Sequence, residues 1–442
     1  MADSAHVQRM PEGLTFAEAV LEADRCLLCH DAPCSKGCPA DTDPGSFIRK
    51  LRLRNVTGAI RTIKRNNILG GACGVLCPTA RLCEKECSAT GIGQAIRIGA
   101  IQRALVEQSW VIGFQALEKA QPRSGKVAVV GSGPAGLACA AGLAQAGVQV
   151  TVFEERAEPG GVIRYGVPSY RFDEDFLAHE LADLRFLGVE IICNTRINGS
   201  EGARKLLAQG YQAVFLAPGL WKAIELPGGK DIPGVQGSVA FLAGSRQVDG
   251  GGHATLVEGK DVAVIGGGSV AIDCAETAKR LGARDVYLVY RRSFAEMPAE
   301  PEESFSALRE GIHFLVLNAP AGYATDTIGA LSGLRLRRCR LGAKDASGRR
   351  SPEEVPGSDW ILEVKAVIEA IGNGPDSANW SELVRTDNRG LIVTDAATGR
   401  TSALAIHAGG DISSGPGLVV EAVRDGKAAA RAILETLAGG TK

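Results

Sequence analysis

The sequence has few aromatic residues, almost no net charge and no long apolar run, and each shortage excludes a class of protein. Phe, Trp and Tyr make up 5% of the 442 residues, which is too few for the stacking platforms that bind single-stranded nucleic acid. The 49 basic and 50 acidic residues give a net charge of −1, which argues against a general polyanion binder. No apolar run reaches the ~18 residues of a membrane helix, and the first residues lack a signal core. We therefore expect a cytoplasmic protein that binds neither nucleic acid nor a membrane.

Glycine is abundant and cysteine is unevenly distributed. Glycine accounts for 56 of the 442 residues, nearly twice its usual share of about 7%. Eight of the 12 cysteines fall within one short segment, and they are Cys26, Cys29, Cys34, Cys38, Cys73, Cys77, Cys83 and Cys87. Because nothing in the sequence indicates export, this cluster predicts metal ligands rather than disulfides.

The eight cysteines form two runs, each with a Cys-Pro pair. Two such runs are typical of two iron–sulfur clusters, and two zinc sites are the alternative, which would make the chain a regulatory or scaffold protein. The surrounding region is predicted to be helical. One helix begins at a capping box formed by Thr15 and Glu18 and ends near Arg25, and another extends from about 47 to 64.

The first glycine-rich loop lies between a predicted strand, 126–130, and a predicted helix. Gly131, Gly133 and Gly136 fit the G-x-G-x-x-G pattern, in which backbone approaches a pyrophosphate at the helix N-terminus. Glu154 ends the next predicted strand, 23 residues after Gly131, where a carboxylate binds a ribose. Strand, loop, helix, strand and acid together predict a dinucleotide site.

The same supersecondary unit recurs after the strand 261–265. Gly266, Gly268 and Ala271 form the second loop, and the following strand ends at Arg291 and Arg292 instead of an acid. Cations at this place pair with the 2′-phosphate of NADP. The alternative is that both arginines are solvated or bind the pyrophosphate.

Two dinucleotide sites in one chain imply a flavin and a nicotinamide, between which hydride passes with little side-chain chemistry. The four remaining cysteines, Cys139, Cys193, Cys274 and Cys339, are isolated and predicted to pack in cores. A disulfide reductase is therefore disfavoured, and one-electron carriers in the cysteine-rich region provide an exit for the electrons.

At this point the chain resembles a known family, the electron-input part of dihydropyrimidine dehydrogenase and its PreT-type bacterial subunits, and more distantly the small subunit of glutamate synthase. The stretches that carry the resemblance are RCLLCHDAPCSKGCP (25–39), CGVLCPTARLCEKEC (73–87), IGAIQ (98–102), GSGPAGL (131–137), FEERAEPGGVIRYGVPSYR (153–171), VAVIGGGSVAIDCA (262–275) and GGDISSGPGLVVEAVRDGK (409–427). They span nearly the full length.

The resemblance implies that the two cysteine runs exchange ligands between two [4Fe-4S] clusters. One cluster is expected on Cys26, Cys29, Cys34 and Cys87. The other is expected on Cys38, Cys77, Cys83 and Gln102, which leaves Cys73 without a role. A glutamine at position 102 favours the pyrimidine branch over the glutamate synthase branch.

The resemblance also implies further nucleotide-binding residues. Those expected at FAD are Gly131, Gly133, Pro134, Ala135, Gly136, Leu137, Glu154, Gly161, Val162, Arg171, Gly410, Asp411, Gly417, Leu418 and Val419. Those expected at NADH or NADPH are Gly267, Gly268, Ser269, Val270, Ala271, Arg291, Arg292 and Gly372 of the loop 370–372. No side chain is expected to act as a catalytic acid or base.

The expected fold is α/β, with an all-helical iron–sulfur module (1–120) followed by two Rossmann-like domains. The FAD domain is expected at 121–250 and 373–442, with an NAD(P) domain inserted at 251–372. Nothing in the chain resembles an FMN-binding barrel or a pyrimidine site. The resemblance therefore implies an FMN- and iron–sulfur-containing PreA-type partner that interconverts uracil or thymine with the 5,6-dihydro base. The small subunit of NADPH-dependent glutamate synthase is the alternative.

Overall fold

The computed structural model describes residues 10–246, 254–376 and 380–439, which form two compact units. The described residues of the first unit are 10–164, 169–220, 375–376 and 380–439. Those of the second unit are 165–168, 221–246 and 254–374. The expected boundary between residues 250 and 251 lies outside the described residues.

The N-terminal part of the first unit is helical, and residues 10–125 contain no strand. Its helices are α1 (Phe16–Asp24), α2 (Pro33–Lys36), α3 (Pro44–Arg52), α4 (Val56–Asn66), α5 (Gly70–Leu76) and α6 (Ile98–Val111), with 3-10 turns at Thr79–Arg81 and Ser88–Gly91. Helix α1 begins at the predicted capping box, in which Thr15 N donates to Glu18 Oε2 at 2.8 Å and Glu18 N donates to Thr15 Oγ1 at 3.2 Å.

The single helix predicted over 47–64 is wrong, because the structure has two helices there, α3 and α4. Arg54 has φ 63°, a left-handed backbone that ends a helix. The Asn55 side chain then accepts a hydrogen bond from Gly58 N at 2.9 Å and caps the next helix.

The remaining elements follow in chain order. They are β1 (Lys126–Val130), α7 (Pro134–Gln145), β2 (Gln149–Phe153), α8 (Val162–Tyr165), α9 (Glu174–Phe186), β3 (Glu190–Ile192), α10 (Gly199–Ala208), β4 (Ala213–Leu216), β5 (Lys222–Ala223), β6 (Val235–Gly237), α11 (Ser238–Ser245), α12 (Ala254–Val257), β7 (Asp261–Ile265), α13 (Ser269–Arg280), β8 (Asp285–Tyr290), α14 (Pro301–Arg309), β9 (His313–Val316), β10 (Asn318–Thr325), β11 (Leu331–Lys344), β12 (Arg350–Leu362), β13 (Ala366–Glu369), β14 (Asn373–Gly374), β15 (Ile406–Ala408), α15 (Asp411–Ser414) and α16 (Val419–Gly439).

Each unit is built on a parallel five-stranded sheet. The order is β15-β4-β1-β2-β3 in the first unit and β6-β13-β7-β8-β9 in the second. In both sheets the strand before the glycine-rich loop is the central one, where the strand order reverses and where ligands of such sheets bind. The predicted α/β fold class, with a helical module and two Rossmann-like sheets, is confirmed.

The second unit also contains an antiparallel sheet, β10-β11-β12, that the sequence analysis did not predict. One face of β11 is apolar, and its buried residues Leu334 and Leu336 pack against the parallel sheet. The opposite face carries exposed ion pairs such as Arg337 with Asp359 at 2.9 Å.

A buried charge cluster joins the helical module to α9 within the first unit. Lys64 of α4 is 2% exposed and its Nζ lies 2.8 Å from Asp183 Oδ2 and 3.9 Å from Glu180 Oε1. The Glu180 carboxylate also accepts hydrogen bonds from Gly71 N at 2.7 Å and Ala72 N at 3.2 Å at the start of α5. Burial raises the pKa of Glu180 to about 7, against the opposing effect of Lys64.

Among the described helices, none combines the length and the apolar character needed to cross a membrane.

His407 is a buried histidine on β15, and neither of its ring nitrogens has a hydrogen-bond partner among the described residues. Burial lowers its pKa from 6.5 to about 4. Because the folded pKa lies below the unfolded one, stability present at neutral pH is lost as the pH falls from about 6.5 to about 4.

We predict that His407→Phe makes the chain less sensitive to acid. The expected gain relative to the parent chain is on the order of 1–2 kcal/mol at pH 5, compared with pH 7.5, and thermal melts at both values measure it. The exposed His313 provides the control, since His313→Gln removes a surface histidine and so separates the effect of burial from the loss of any histidine. An unaltered acid sensitivity in His407→Phe contradicts the prediction.

Candidate cofactor sites

The first glycine-rich loop has two positions at which only glycine fits. Gly131 has φ 97°, and a Cβ there would lie 2.3 Å from the Ala217 carbonyl oxygen. A Cβ on Gly136 would lie 2.0 Å from the carbonyl oxygen of Gly131. These contacts hold β1, the loop and α7 close together.

Gly133 differs from its neighbours, because no atom lies within 4 Å of a Cβ built on it. Its φ of −71° and ψ of 177° are open to any residue, so local folding does not require glycine here. Space is left at the N-terminus of α7, where Pro134 begins the helix, and this is where a pyrophosphate would approach the backbone. A Cβ on Gly161 would lie 2.5 Å from Gly133 Cα, so the second glycine segment packs directly against the loop.

Glu154 is buried beside the loop and already orders it. Its Oε2 accepts hydrogen bonds from Ser132 N at 3.0 Å and from the Ser132 hydroxyl, and its Oε1 accepts one from Arg156 N at 2.9 Å. The Ser132 hydroxyl in turn accepts from Gly160 N at 3.1 Å. The carboxylate expected at a ribose therefore also connects the two glycine segments.

The loop before α16 lies against helix α7. Gly410 has φ 74°, and a Cβ there would lie 2.9 Å from the Ala135 Cβ. Gly410 N donates to Asp425 Oδ2 at 3.1 Å, a contact that the sequence analysis missed. Burial raises the pKa of Asp411 to about 6, although a hydrogen bond from Gly417 N acts in the opposite direction. The structure thus brings this loop together with the first glycine loop.

The other residues expected at the flavin occupy the borders of these segments. Leu137 is buried in the first turn of α7, Val162 begins α8, and Arg171 lies in the half-buried loop before α9. Leu418 N donates to Glu421 Oε2 at 2.8 Å, and Val419 begins α16. Open space at Gly133, a helix N-terminus and a buried carboxylate together fit the pyrophosphate and ribose of a dinucleotide.

The second glycine-rich loop repeats this geometry on the second sheet. Gly266 has φ 148°, and a Cβ there would lie 2.4 Å from the Ala370 carbonyl oxygen and 3.0 Å from the Ala271 Cβ. A Cβ on Gly267 would meet the Tyr290 ring at 2.5 Å, whereas Gly268 has a neighbour only at 3.7 Å. The loop is followed directly by Ser269 and Val270, which begin α13. The residues fit a second dinucleotide.

The two arginines after β8 have different surroundings. Arg291 is exposed. Arg292 is 7% exposed, its Nη2 lies 2.7 Å from Asp345 Oδ2, and its Nε donates to the Arg350 carbonyl oxygen at 2.8 Å. The structure therefore engages Arg292 in holding the antiparallel sheet, because a buried cation needs a partner. Of these two arginines, only Arg291 leaves its charge exposed to solvent.

The loop 370–372 is held by groups that the sequence analysis did not identify. Glu369, at the end of β13, accepts hydrogen bonds from Leu226 N at 2.8 Å and from the Tyr323 hydroxyl at 2.6 Å. Gly372 in this loop has φ 112°. An acid in an otherwise apolar strand is a sequence signal, but its partners become visible only in the fold.

One set of cysteines lines a largely apolar cavity in the helical module. Cys26, Cys29 and Cys34 of the first run meet Cys87 of the second run there, among side chains that include Leu28 and Ile48. Burial, together with the neighbouring Cys26 and Cys87, raises the pKa of Cys34 to about 11. These four sulfur atoms fit a soft metal centre, whose positive charge would offset the cost of ionising them together.

The other cysteines lie together around Cys77. A hydrogen bond with Cys73 and burial raise the pKa of Cys77, and Cys38 and Cys83 act in the same direction as close neighbours. Asn67 Nδ2 donates to Cys73 Sγ at 3.3 Å and to Thr42 Oγ1 at 3.2 Å. Thr42 N donates to Cys38 Sγ at 3.5 Å. Cys73, which the sequence analysis left without a role, is therefore part of this second set.

Gln102 is buried on α6 and is held by α5. Its amide nitrogen donates to the Gly70 carbonyl oxygen. That bond orients the amide, so that the side-chain oxygen is the atom left to bind a metal.

Within the part of the chain that the structure describes, no three His, Cys, Asp or Glu side chains converge tightly enough for a single metal ion.

The four cysteines outside the module are free thiols. Cys139 and Cys274 are completely buried, and burial raises the pKa of both. Inert buried thiols of this kind pack as small apolar side chains.

Two family models match the chain. Residues 3–113 match the model described as dihydropyrimidine dehydrogenase domain II, 4Fe-4S cluster. Residues 125–426 match the model described as pyridine nucleotide-disulphide oxidoreductase. The chain belongs to the pyridine nucleotide-disulphide oxidoreductase family. It is an oxidoreductase of the NAD(P)H and flavin type that carries an iron–sulfur domain at its N-terminal end.

Curated members of this family are similar over nearly the whole chain. The PreT subunit of NAD-dependent dihydropyrimidine dehydrogenase from Salmonella typhimurium is 36% identical over 433 residues, which cover 98% of each chain. The small chain of glutamate synthase [NADPH] from Escherichia coli is 33% identical over 441 residues, which cover 96% of this chain and 93% of that one. The resemblance stated from the sequence is confirmed.

Solved structures of lower identity share the fold. FprA from Mycobacterium tuberculosis, solved in complex with NADPH, has a TM-score of 0.61 at 19% identity and covers 72% of this chain and 86% of its own. This likeness supports the two-sheet architecture of the oxidoreductase part.

We predict that Gly133→Ala yields a folded chain without bound FAD. The new methyl group meets no protein atom but occupies the approach to the helix N-terminus, so FAD retained on purification is expected to fall at least tenfold. The matched control is Gly131→Ala, where φ 97° and the Ala217 contact are expected to cost about 1 kcal/mol or more of stability. Full FAD content in Gly133→Ala contradicts the prediction.

We also predict that Cys73 and Gln102 differ in metal binding. Cys73→Ala is expected to keep the iron content of the parent chain, because the family resemblance does not include Cys73 among the ligands. Gln102→Ala is expected to lose iron or to alter the electron paramagnetic resonance (EPR) signal of one cluster. Anaerobic purification with iron analysis tests both, and the reverse pattern would assign the ligand to Cys73.

Proposed function

We propose that this chain is the electron-input subunit of a dihydropyrimidine dehydrogenase. It would take electrons from NAD(P)H and pass them through FAD and two [4Fe-4S] clusters to an FMN- and iron–sulfur-containing PreA-type partner that interconverts uracil or thymine with the 5,6-dihydropyrimidine. The observation that carries the proposal is the 36% identity to a PreT subunit over 98% of both chains.

In the second unit, the proposed role of the residues around the second glycine loop is to bind and orient the nicotinamide nucleotide. Gly268 lies open at the N-terminus of α13, which suits a pyrophosphate, and Glu369 fixes the loop that contains Gly372. Arg291 offers an exposed positive charge, which suits NADPH, whereas the PreT relative is named as NAD-dependent. The proposal therefore includes both nucleotides, with NADH favoured by the relative.

In the first unit, the proposed role of the residues around the first glycine loop is to bind FAD and hold it in position. The open face of Gly133 would admit the pyrophosphate and Glu154 would bind the ribose. Asp411, which begins α15 shortly after β15, accepts a hydrogen bond from Gly417 N. Bound FAD supplies the step from a hydride to single electrons. No side chain of this chain is proposed to move a proton, so alignment of the rings is the contribution of the protein.

The proposed cluster ligands are those implied by the family. Cys26, Cys29, Cys34 and Cys87 would hold the first cluster, in the cavity that they line. The second would be held by Cys38, Cys77 and Cys83 of the second set together with Gln102, whose amide is bound to Gly70 of α5. Thiolates from both runs would then cross-link the module, because each site needs residues far apart in sequence.

The small subunit of a glutamate synthase is the second candidate. It would deliver the same electrons to a glutamine-dependent partner, and the 33% identity to the Escherichia coli small chain supports it. The glutamine at position 102 is the sequence feature that favours the pyrimidine enzyme.

We predict uracil-dependent oxidation of NADH when the chain is combined anaerobically with a PreA-type partner. Consumption of NADH with and without uracil, followed by absorbance, measures it, and the Gly133→Ala chain is the control that is expected to be inactive. Absence of uracil-dependent turnover, together with glutamine-dependent turnover on a glutamate synthase large subunit, would replace the proposal by the second candidate.

A further inference from the structure

A lysine of the last helix lies beside the loop that follows Cys38. Lys427 lies on α16, and its Nζ donates a hydrogen bond to the carbonyl oxygen of Ala40, two residues after Cys38. The side chain is half-buried. The charged and titratable groups around it are Asp41, Arg431, Cys38 and Cys73. The lysine therefore brings a positive charge to the sulfur atoms of Cys38 and Cys73 from the far end of the sequence.

The position of Lys427 is fixed by the two residues before it. A Cβ on Gly426 would lie 2.1 Å from the Ala135 carbonyl oxygen, so α16 is pressed against α7 at this turn. Asp425 accepts the hydrogen bond from Gly410 N at 3.1 Å. One turn of α16 thus contacts the loop at Gly410, helix α7 and the loop at Ala40. These contacts leave the Lys427 side chain little freedom to move.

Asp41 is the one acid among these neighbours, and it is exposed. Water and salt screen an exposed charge strongly, whereas a charge held near buried sulfur atoms keeps most of its effect. The exposed Asp41 therefore does not cancel the charge of Lys427, and the net effect of the pair on the second cysteine set is positive.

We propose that Lys427 is a positioning residue that raises the reduction potential of the cluster held by Cys38, Cys77, Cys83 and Gln102. The inference rests on the proposed function, because it requires that cluster. Reduction adds one electron to an anionic cluster, and a fixed cation nearby stabilises the added charge. The same helix turn also contacts the loop at Gly410, one of the residues proposed to bind FAD.

The alternative is that Lys427 only tethers the loop that contains Ala40. The two roles differ in what a substitution preserves. Lys427→Gln can still donate to the Ala40 carbonyl oxygen but carries no charge, and Lys427→Arg retains both the charge and the donor. Arg431, exposed one turn further along α16, gives a matched control, since Arg431→Gln removes a charge that water already screens.

The test is an EPR-monitored redox titration of the full chain, purified without oxygen, with iron content measured on each sample. Lys427→Gln is expected to lower the equilibrium constant for reducing one cluster about tenfold, which is about 59 mV for a one-electron couple. That cluster is the one whose signal changes in Gln102→Ala. Lys427→Arg and Arg431→Gln are expected to match the parent chain.

Two results would overturn the inference. One is an unchanged potential in Lys427→Gln with full iron content. The other is loss of iron from Lys427→Gln, with Lys427→Arg intact, because this outcome shows a tether and not a tuned potential. The parent chain separates these outcomes from failure of the proposed function, which would appear as the absence of any reducible iron signal before a substitution is made.

Discussion

The arrangement of the helical module depends on bringing sulfur atoms from two distant cysteine runs into shared sites. Cys87 meets Cys26, Cys29 and Cys34 in one cavity, and Cys77 lies with Cys38 and Cys83. Burial and the neighbouring thiols both raise the pKa of Cys26 and of Cys34, and so oppose their ionisation. A bound metal centre reverses that balance, so metal binding and folding of this module are expected to be coupled.

The module is attached to α9 of the first unit by charged groups that are expensive to bury alone. Lys64 is enclosed with Glu180 and Asp183 of α9, and Glu180 also binds the first amides of α5. Removing one partner would leave an uncompensated buried charge, which makes the contact specific. Helix α5 leads directly to Cys77, so this attachment also positions the second cysteine set.

Local signals in the sequence were sufficient for the nucleotide loops, and long-range contacts were not predictable. Gly131 and Gly266 follow β-strands and precede helices, and both have the positive φ that the pattern requires. The capping box at Thr15 is equally local. The antiparallel sheet and the pairing of Arg292 with Asp345 depend on tertiary contacts that no spacing reveals.

The same division applies to the cysteines. Their number and the Cys-Pro pairs predict metal binding, but only the family resemblance indicates that the two runs share sites. The structure adds Cys73 to the second set through its contacts with Cys77 and Asn67. Lys427 belongs to a motif quoted from the sequence, yet its contact with Ala40 spans 387 positions and emerges only from the fold.

The most direct test of the account is stepwise anaerobic reduction of the full chain by NADH or NADPH, followed by visible absorbance and EPR on the same samples. The account predicts loss of the flavin absorbance together with EPR signals from reduced iron–sulfur centres, in a chain that contains iron and inorganic sulfide. Bleaching of the flavin in a folded chain that contains zinc or no metal, with no EPR signal, would contradict it.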